Sequence, residues 1–297
     1  MAGTAPATEI NVVGPASGRR SVRRSSRALR SKPFVIGGSI VLFITLAAVF
    51  AGLIAPYDPN AQNYTALLQA PGIHHWLGTD EVGRDTLSRI LFGARTSMEV
   101  SLGAVVFGLV IGIPVGLVSG YYRGFVDNWI IMRIVDALQA FPFLILALVL
   151  AAMLGPGIGN AMMAIGIGYV PSFVRIIRGQ IIAEMGKEYV LSARMIGARD
   201  GRIMFYHVLR NITTPLIVQV SIAMASGIVA EASLSYLGLG AQPPTASWGA
   251  MLHTAQGYLT QAPWESIVPG VAIAIAVFGF NMFGDGLQEV WDPRALQ

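Results

Sequence analysis

Long stretches of this chain carry almost no charge, and their length is what a lipid bilayer demands. A helix needs about 20 mostly apolar residues to cross about 30 Å of hydrocarbon. Phe34 to Ala55 and Val100 to Gly120 hold no charged residue. Ala137 to Val174 is uncharged too but long for one crossing, and "GPGIGN" (Gly155 to Asn160) supplies a turn that divides it into two helices. Pro171 and Arg175 are read as interruptions near the end of the second. Thr214 to about Leu237, uncharged except for Glu231, makes a fifth span, and Ser266 to Gly284 a sixth. With 54% hydrophobic and 12% charged residues over 297 positions, the expectation is an all-α integral membrane protein with six transmembrane helices. No cysteine is present, which excludes disulfides and thiolate metal sites.

Lysine and arginine placement sets the expected orientation, because short cytoplasmic loops retain them. "GRRSVRRSSRALRSK" is basic, Arg123 and Arg133 sit between the second and third spans, and Arg175 to Arg210 is basic again. These segments fall on one side, so both termini are expected in the cytoplasm. Gly238 to Glu265, on the other side, has no Lys or Arg. Arg84, Arg89 and Arg95 go against the trend, in company with Asp80, Glu81 and Asp85. The tail over 1–32, poor in large apolar residues, is expected to be disordered and to brush anionic lipid rather than nucleic acid.

Several motifs have local readings. In "GTDEVGRD", Thr79 or Asp80 is expected to cap a helix, with Glu81 near its positive end. Gly108, Gly112, Gly116 and Gly120 recur every four residues and form a seam for close helix packing. Trp248, Met251, Leu252, Ala255, Tyr258 and Leu259 fall at helical spacing, as in an amphipathic helix at the outer surface that anchors in the membrane or docks an external partner. Glu231, an acid within an apolar span, is a candidate for the translocation path or for an inter-subunit contact, structural pairing being an equal alternative.

Catalytic chemistry finds no foothold. Lys187 has Ile181 where a phosphate-binding loop needs its first glycine, and Glu188 where it needs a hydroxyl. His74 and His75 are adjacent, while His207 and His253 are expected on opposite sides of the membrane, so no zinc spacing arises. No G-x-S-x-G elbow occurs. The chain is not expected to be an enzyme or to hold a metal or cofactor.

The longest basic segment between spans contains "EYVLSARMIGARDGRIMFYHVLRN". Tyr189, Val190, Ala193 and Ile196 predict a short amphipathic helix from Glu188 to Ile196, which Gly197 ends in the left-handed conformation. Asp200 is placed to cap a second helix through Ile203, Phe205 and Val208, and Thr214 with Pro215 to cap and begin the fifth span. This hairpin resembles the cytoplasmic coupling loop of the permease subunits of ATP-binding-cassette importers, whose pattern is E-A-A, three residues, G, nine residues, I-x-L-P. Ala193, Gly197 and Leu209 match it, and Arg210 stands where the pattern has proline. Tyr189, Val190, Ala193, Arg194, Gly197 and Ala198 are similar to the variant in the dipeptide, oligopeptide and nickel group. "LGTDEVGRDTLSRILFGARTSM", "MRIVDALQAFP", "EASLSYLGLGAQPPTASWGAML", "APWESIVPG" and "NMFGDGLQEVWDPR" resemble the C-type permease subunit of that group, across almost all of Phe34 to Arg294.

The resemblance implies a type I importer permease that translocates dipeptides or oligopeptides across a prokaryotic cytoplasmic membrane. It pairs with a second, homologous permease over two cytoplasmic ATPase subunits, which bind ATP and Mg, and receives substrate from an external solute-binding protein. Glu188, Tyr189, Ala193, Arg194, Gly197, Ala198 and Asp200 are then the expected ATPase-coupling residues. The implied division is a tail over 1–32, a first span over 33–55, an external loop over 56–97, a permease core over 98–287 with its coupling loop at 178–213, and a tail over 288–297. A nickel or other small-solute importer, or an ion-gradient-driven transporter, is the alternative.

Overall fold

Inside lipid only a helix satisfies its own backbone N–H and C=O groups within one segment. A computed structural model describes residues 31–291. Among them the regular elements are helical, apart from one isolated bridge between Thr79 and Asp85. The basic tail, except Ser31 and Lys32, and residues 292–297 lie outside the described residues.

The helices are α1 Lys32–Val49, α2 Thr86–Tyr122, α3 Met132–Gln139, α4 Phe143–Leu154, α5 Ile158–Glu184, α6 Glu188–Met195, α7 Thr213–Tyr236, α8 Trp248–Ala255 and α9 Trp264–Trp291. Shorter helical pieces at Ala51–Ile54, Val126–Ile131 and Asp200–Asn211 join them. Helices α1, α2, α5, α7 and α9 are long and apolar enough to cross a membrane. The third expected span differs: α4 has 12 residues, and the helical run before it, Val126–Gln139, meets it at 92°. Pro142 causes the break, since it has no N–H to donate and its ring pushes Phe141 out of helical geometry. A sixth crossing exists only as this bent pair. Conversely, α5 runs unbroken through Pro171 and Arg175, so the expected interruption there does not occur.

The glycine seam on α2 packs directly against α5. A Cβ on Gly112 would lie 2.6 Å from Phe173 Cβ, one on Gly116 2.8 Å from Ile177 Cβ, and one on Gly120 2.9 Å from Ile181 Cβ. Phe173, Ile177 and Ile181 are fully buried there. At about 1.5 Å per residue, the 37 residues of α2 span about 55 Å and extend well beyond the hydrocarbon. The helix begins at Thr86, inside the segment read as a loop.

Its cap is Asp85, whose carboxylate accepts from Ser88 N at 2.8 Å, and not Thr79 or Asp80. Both of those are engaged elsewhere. Thr79 Oγ1 donates to Ala66 O and accepts from Gln69 N, while Asp80 accepts from Val82 N, Arg84 N and Arg84 Nε. Arg84 also pairs with Glu81 at 2.9 Å, and Arg89 lies 3.5 Å from Asp80. The arginines at 84 and 89, which ran against the charge trend, are thus neutralised locally. Glu81 has its pKa raised, by burial first and then by neighbouring Asp80.

Helix α8 does not float at a surface. Trp248, Met251 and Ala255 are buried, and Trp248 Nε1 donates to Ile90 O at 3.1 Å. Ser247 caps the helix by accepting from Ala250 N.

The glycine seam gives a paired prediction. Gly116→Val should destabilise the purified protein by at least about 1–3 kcal/mol, because the added carbons meet Ile177 and Val174 O. Gly179→Ala, with nothing within 4 Å of its Cβ position, should hold or slightly raise the melting temperature in detergent.

Candidate functional site

Two ends of the bundle can be told apart from the contacts of α2. Its first turns meet α8 and the 56–85 loop, and its last turn meets the hairpin that begins with α6. The hairpin starts where α5 stops at Glu184, whose carboxylate accepts from Lys187 Nζ at 2.5 Å and Tyr189 OH at 2.6 Å. Burial, and then the bond to Glu184, raise the pKa of the Tyr189 phenol, so it remains a donor. Glu188 is exposed in the first turn of α6, where its charge suits the helix dipole.

Gly197 ends α6 at φ +82°. Its N–H donates to Arg194 O at 2.9 Å and that of Ala198 to Ala193 O at 3.0 Å, the paired bonds of a Schellman motif. Asp200 does not cap the next helix; that position is Arg199, and no side-chain cap bond forms. Instead Asp200 Oδ1 accepts from Tyr121 OH at 2.5 Å, and the Arg194 guanidinium lies 5.6 Å from the centre of the Tyr121 ring. Tyr121, in the last turn of α2, therefore holds both arms of the hairpin. The exit stays helical through Arg210, which is exposed, and α7 begins at Thr213 after Ile212 rather than being capped at Thr214.

The expected coupling residues divide by direction. Ala193 is buried with Val190, Ile203 and Val208 in the core of the chain itself, Ala198 packs against that core, and Tyr189 is tied to Glu184. Glu188, Arg194, Gly197 and Asp200 are exposed, and the apolar part of the outward face is made of other residues. Met195 is 89% exposed, Ile196 85% and Leu191 52%, with Phe205 and Tyr206 exposed beside them. The sequence does hold a sign of them: α6 is apolar on two faces, and only one can serve the core.

Glu231 lies at the opposite end, 1% exposed among α2, α7 and the start of α8. Ser235 Oγ donates to its Oε1 at 2.7 Å while accepting from Ala241 N. Ser97 Oγ accepts from Trp248 N, and Ser247 Oγ from Ala250 N. The bond from Trp248 N to Ser97 ties the start of α8 to α2, while the second oxygen of the Glu231 carboxylate is buried without a hydrogen-bond partner. Its surroundings are residues of this chain, and it lines none of the cavities described below.

Two cavities open along α5 and α7. One, of about 530 Å³, lies between the bend at Pro142, α5 and α7, and includes Gln139, Tyr169, Ser172, Gln219 and Ser226. The other, of about 850 Å³, lies nearer the hairpin end and includes Gln180, Thr214, Gln219 and Gln288. Two ion pairs flank them on α5: Arg175 to Asp136 at 2.6 Å, and Arg178 to Asp127 through bonds of 2.9 and 2.7 Å. Ser119 of α2 also donates to Asp127. Among the described residues no group of three or more histidine or acidic side chains could hold a metal ion.

Known proteins are similar to this chain in sequence and in fold. A solved structure, the inward facing MetNI methionine ABC transporter, superposes with a TM-score of 0.58 at 19% identity, over 69% of this chain and 98% of that chain, which establishes a common fold. The dipeptide transport system permease protein DppC of Alkalihalophilus pseudofirmus is 40% identical over 89% of this chain and 87% of its own length. The glutathione transport system permease protein GsiD of Pectobacterium atrosepticum is 42% identical, over 90% and 89%. The probable D,D-dipeptide transport system permease protein DdpC of Escherichia coli is 41% identical, over 90% of each chain. The model for the N-terminal TM domain of oligopeptide transport permease C matches residues 21–71. Residues 112–297, which hold the hairpin, both cavities and Glu231, match a second model, and the chain belongs to its family, the binding-protein-dependent transport system inner membrane components.

Proposed function

We propose that the chain is the permease subunit of an ATP-driven importer that carries dipeptides or oligopeptides across a prokaryotic cytoplasmic membrane. The observation that carries this reading is near-full-length identity of 40–42% to three permeases, each named for a peptide. In this reading a second, homologous permease completes the path, an external solute-binding protein delivers substrate, and two cytoplasmic ATPase subunits bind ATP and Mg. The hairpin and both termini then lie in the cytoplasm, and α8 with the 56–85 loop faces the delivering protein.

The hairpin is where ATP-driven motion enters. Leu191, Met195 and Ile196 present apolar side chains to solvent, as a surface seated in a groove of another protein does. The Schellman turn at Gly197 fixes their direction. Glu188, Arg194 and Asp200 supply charge around them, while Tyr189, Ala193 and Ala198 bind the hairpin to the bundle. Force on α6 passes through Tyr121 to α2 and through Glu184 to α5, and the glycine seam makes those two helices one body. In this division of roles the chain holds no nucleotide itself.

Three measurements test the reading. Met195→Asp with Ile196→Asp, both at exposed positions, should leave the chain in the membrane yet reduce ATPase subunits copurifying with it by at least about tenfold. Full retention of those subunits would remove the docking role. Gly197→Val places a branched residue at φ +82°, costing about 1–2 kcal/mol with no clash, and should lower uptake more than Gly197→Asn. In a strain deleted for the chain, restored uptake of labelled peptide, and not of nickel, is the expected outcome for substrate.

A further inference from the structure

The geometry points to the α5–α7 groove as a path that recognises the peptide backbone through its own carboxamides, with Gln219 at the centre, and passes substrate without selecting on side-chain charge. This inference rests on the reading of the chain as a peptide-importer permease. Gln219 lines both cavities, so they adjoin at its side chain, one beside the Pro142 bend and the other nearer the hairpin end. Along α5, Ser172, Ile176 and Gln180 recur every four residues on its wall, and α7 contributes Pro215, Gln219 and Ile222. Neither lining includes an aspartate, glutamate, lysine, arginine or histidine.

That neutrality is maintained beside charge. Arg175 and Arg178 lie on the same helix within the span of the groove, yet each is turned to an acid on the Val126–Gln139 run: Arg175 to Asp136, and Arg178 to Asp127, the latter with two parallel bonds. A carboxamide offers one carbonyl acceptor and N–H donors, the same pairing that a peptide group needs, whereas it gives no net charge for a side chain to meet. A fixed arginine or glutamate would instead hold one sign of peptide and repel the other. Glutamines at 139, 180 and 219 suit a substrate whose constant part is its amide backbone.

The test uses the complete importer in cells lacking the native chain, with labelled neutral, Glu-containing and Lys-containing di- and tripeptides. Relative to wild type, Gln219→Glu should lower the ratio of acidic to basic peptide uptake by about tenfold, and Gln219→Lys should raise it by about tenfold. Chain levels in the membrane are measured for each. A uniform loss for all peptides, or ratios unchanged from wild type, overturns the groove inference while leaving the importer reading intact. If the wild-type assembly imports none of the peptides, the importer reading fails and the groove inference falls with it.

Discussion

Close backbone approach between α2 and α5 is the constraint on which the rest of this molecule depends. Four glycines at four-residue spacing let Tyr169, Phe173, Ile177 and Ile181 press against the α2 backbone, where any side chain would separate the helices. In lipid, helices gain nothing from excluding water, so packing at such seams supplies much of their association. The pair becomes a stiff member to which other parts are fastened: the hairpin through Tyr121 and Glu184 at one end, α8 through Trp248 at the other. The groove runs along α5 beside this member.

That arrangement gives physical content to the coupling role proposed for the hairpin. A hairpin held only by apolar burial could slide. This one is bonded to the last turns of both seam helices and closed by a Schellman turn, so a push on Met195 and Ile196 must move α2 and α5 or break those bonds. The pair of half-buried Arg178 with buried Asp127, joined by Ser119, adds the Val126–Ile131 turn to the same body. Motion then reaches the groove wall, since Ser172, Ile176 and Gln180 are part of α5 itself.

Much of this was legible in the sequence wherever one physical rule acted alone. Uncharged length marked five of the spans, glycine period marked the seam, and a glycine after an amphipathic run marked the end of α6. Reading failed where several groups competed for one role. Thr79, Asp80 and Asp85 are all good caps, and loop contacts of Thr79 and Asp80 left the task to Asp85. Asp200 looked like a local cap, but its partner is Tyr121, 79 positions away, which no local pattern reveals. Three prolines illustrate the same limit: Pro142 breaks a span, while Pro114 and Pro171 lie inside continuous helices whose packing holds them. Spacing put Ile196 on one face with Val190 and Ala193, but α6 ends at Met195 and Ile196 turns to solvent with it, so the outward apolar face went unread.

The most direct test of the central claim, that hairpin and seam helices move as one body, is a distance measurement. The chain has no cysteine, so spin labels can be placed at Ser192→Cys on the hairpin and Val118→Cys on α2 with no background from this chain. In the complete assembly the account predicts the same label separation with and without bound ATP, while uptake remains ATP-dependent. A shift of about a helical turn, roughly 5 Å, between the two states would contradict it, because the hairpin would then move independently of the helices it is said to drive.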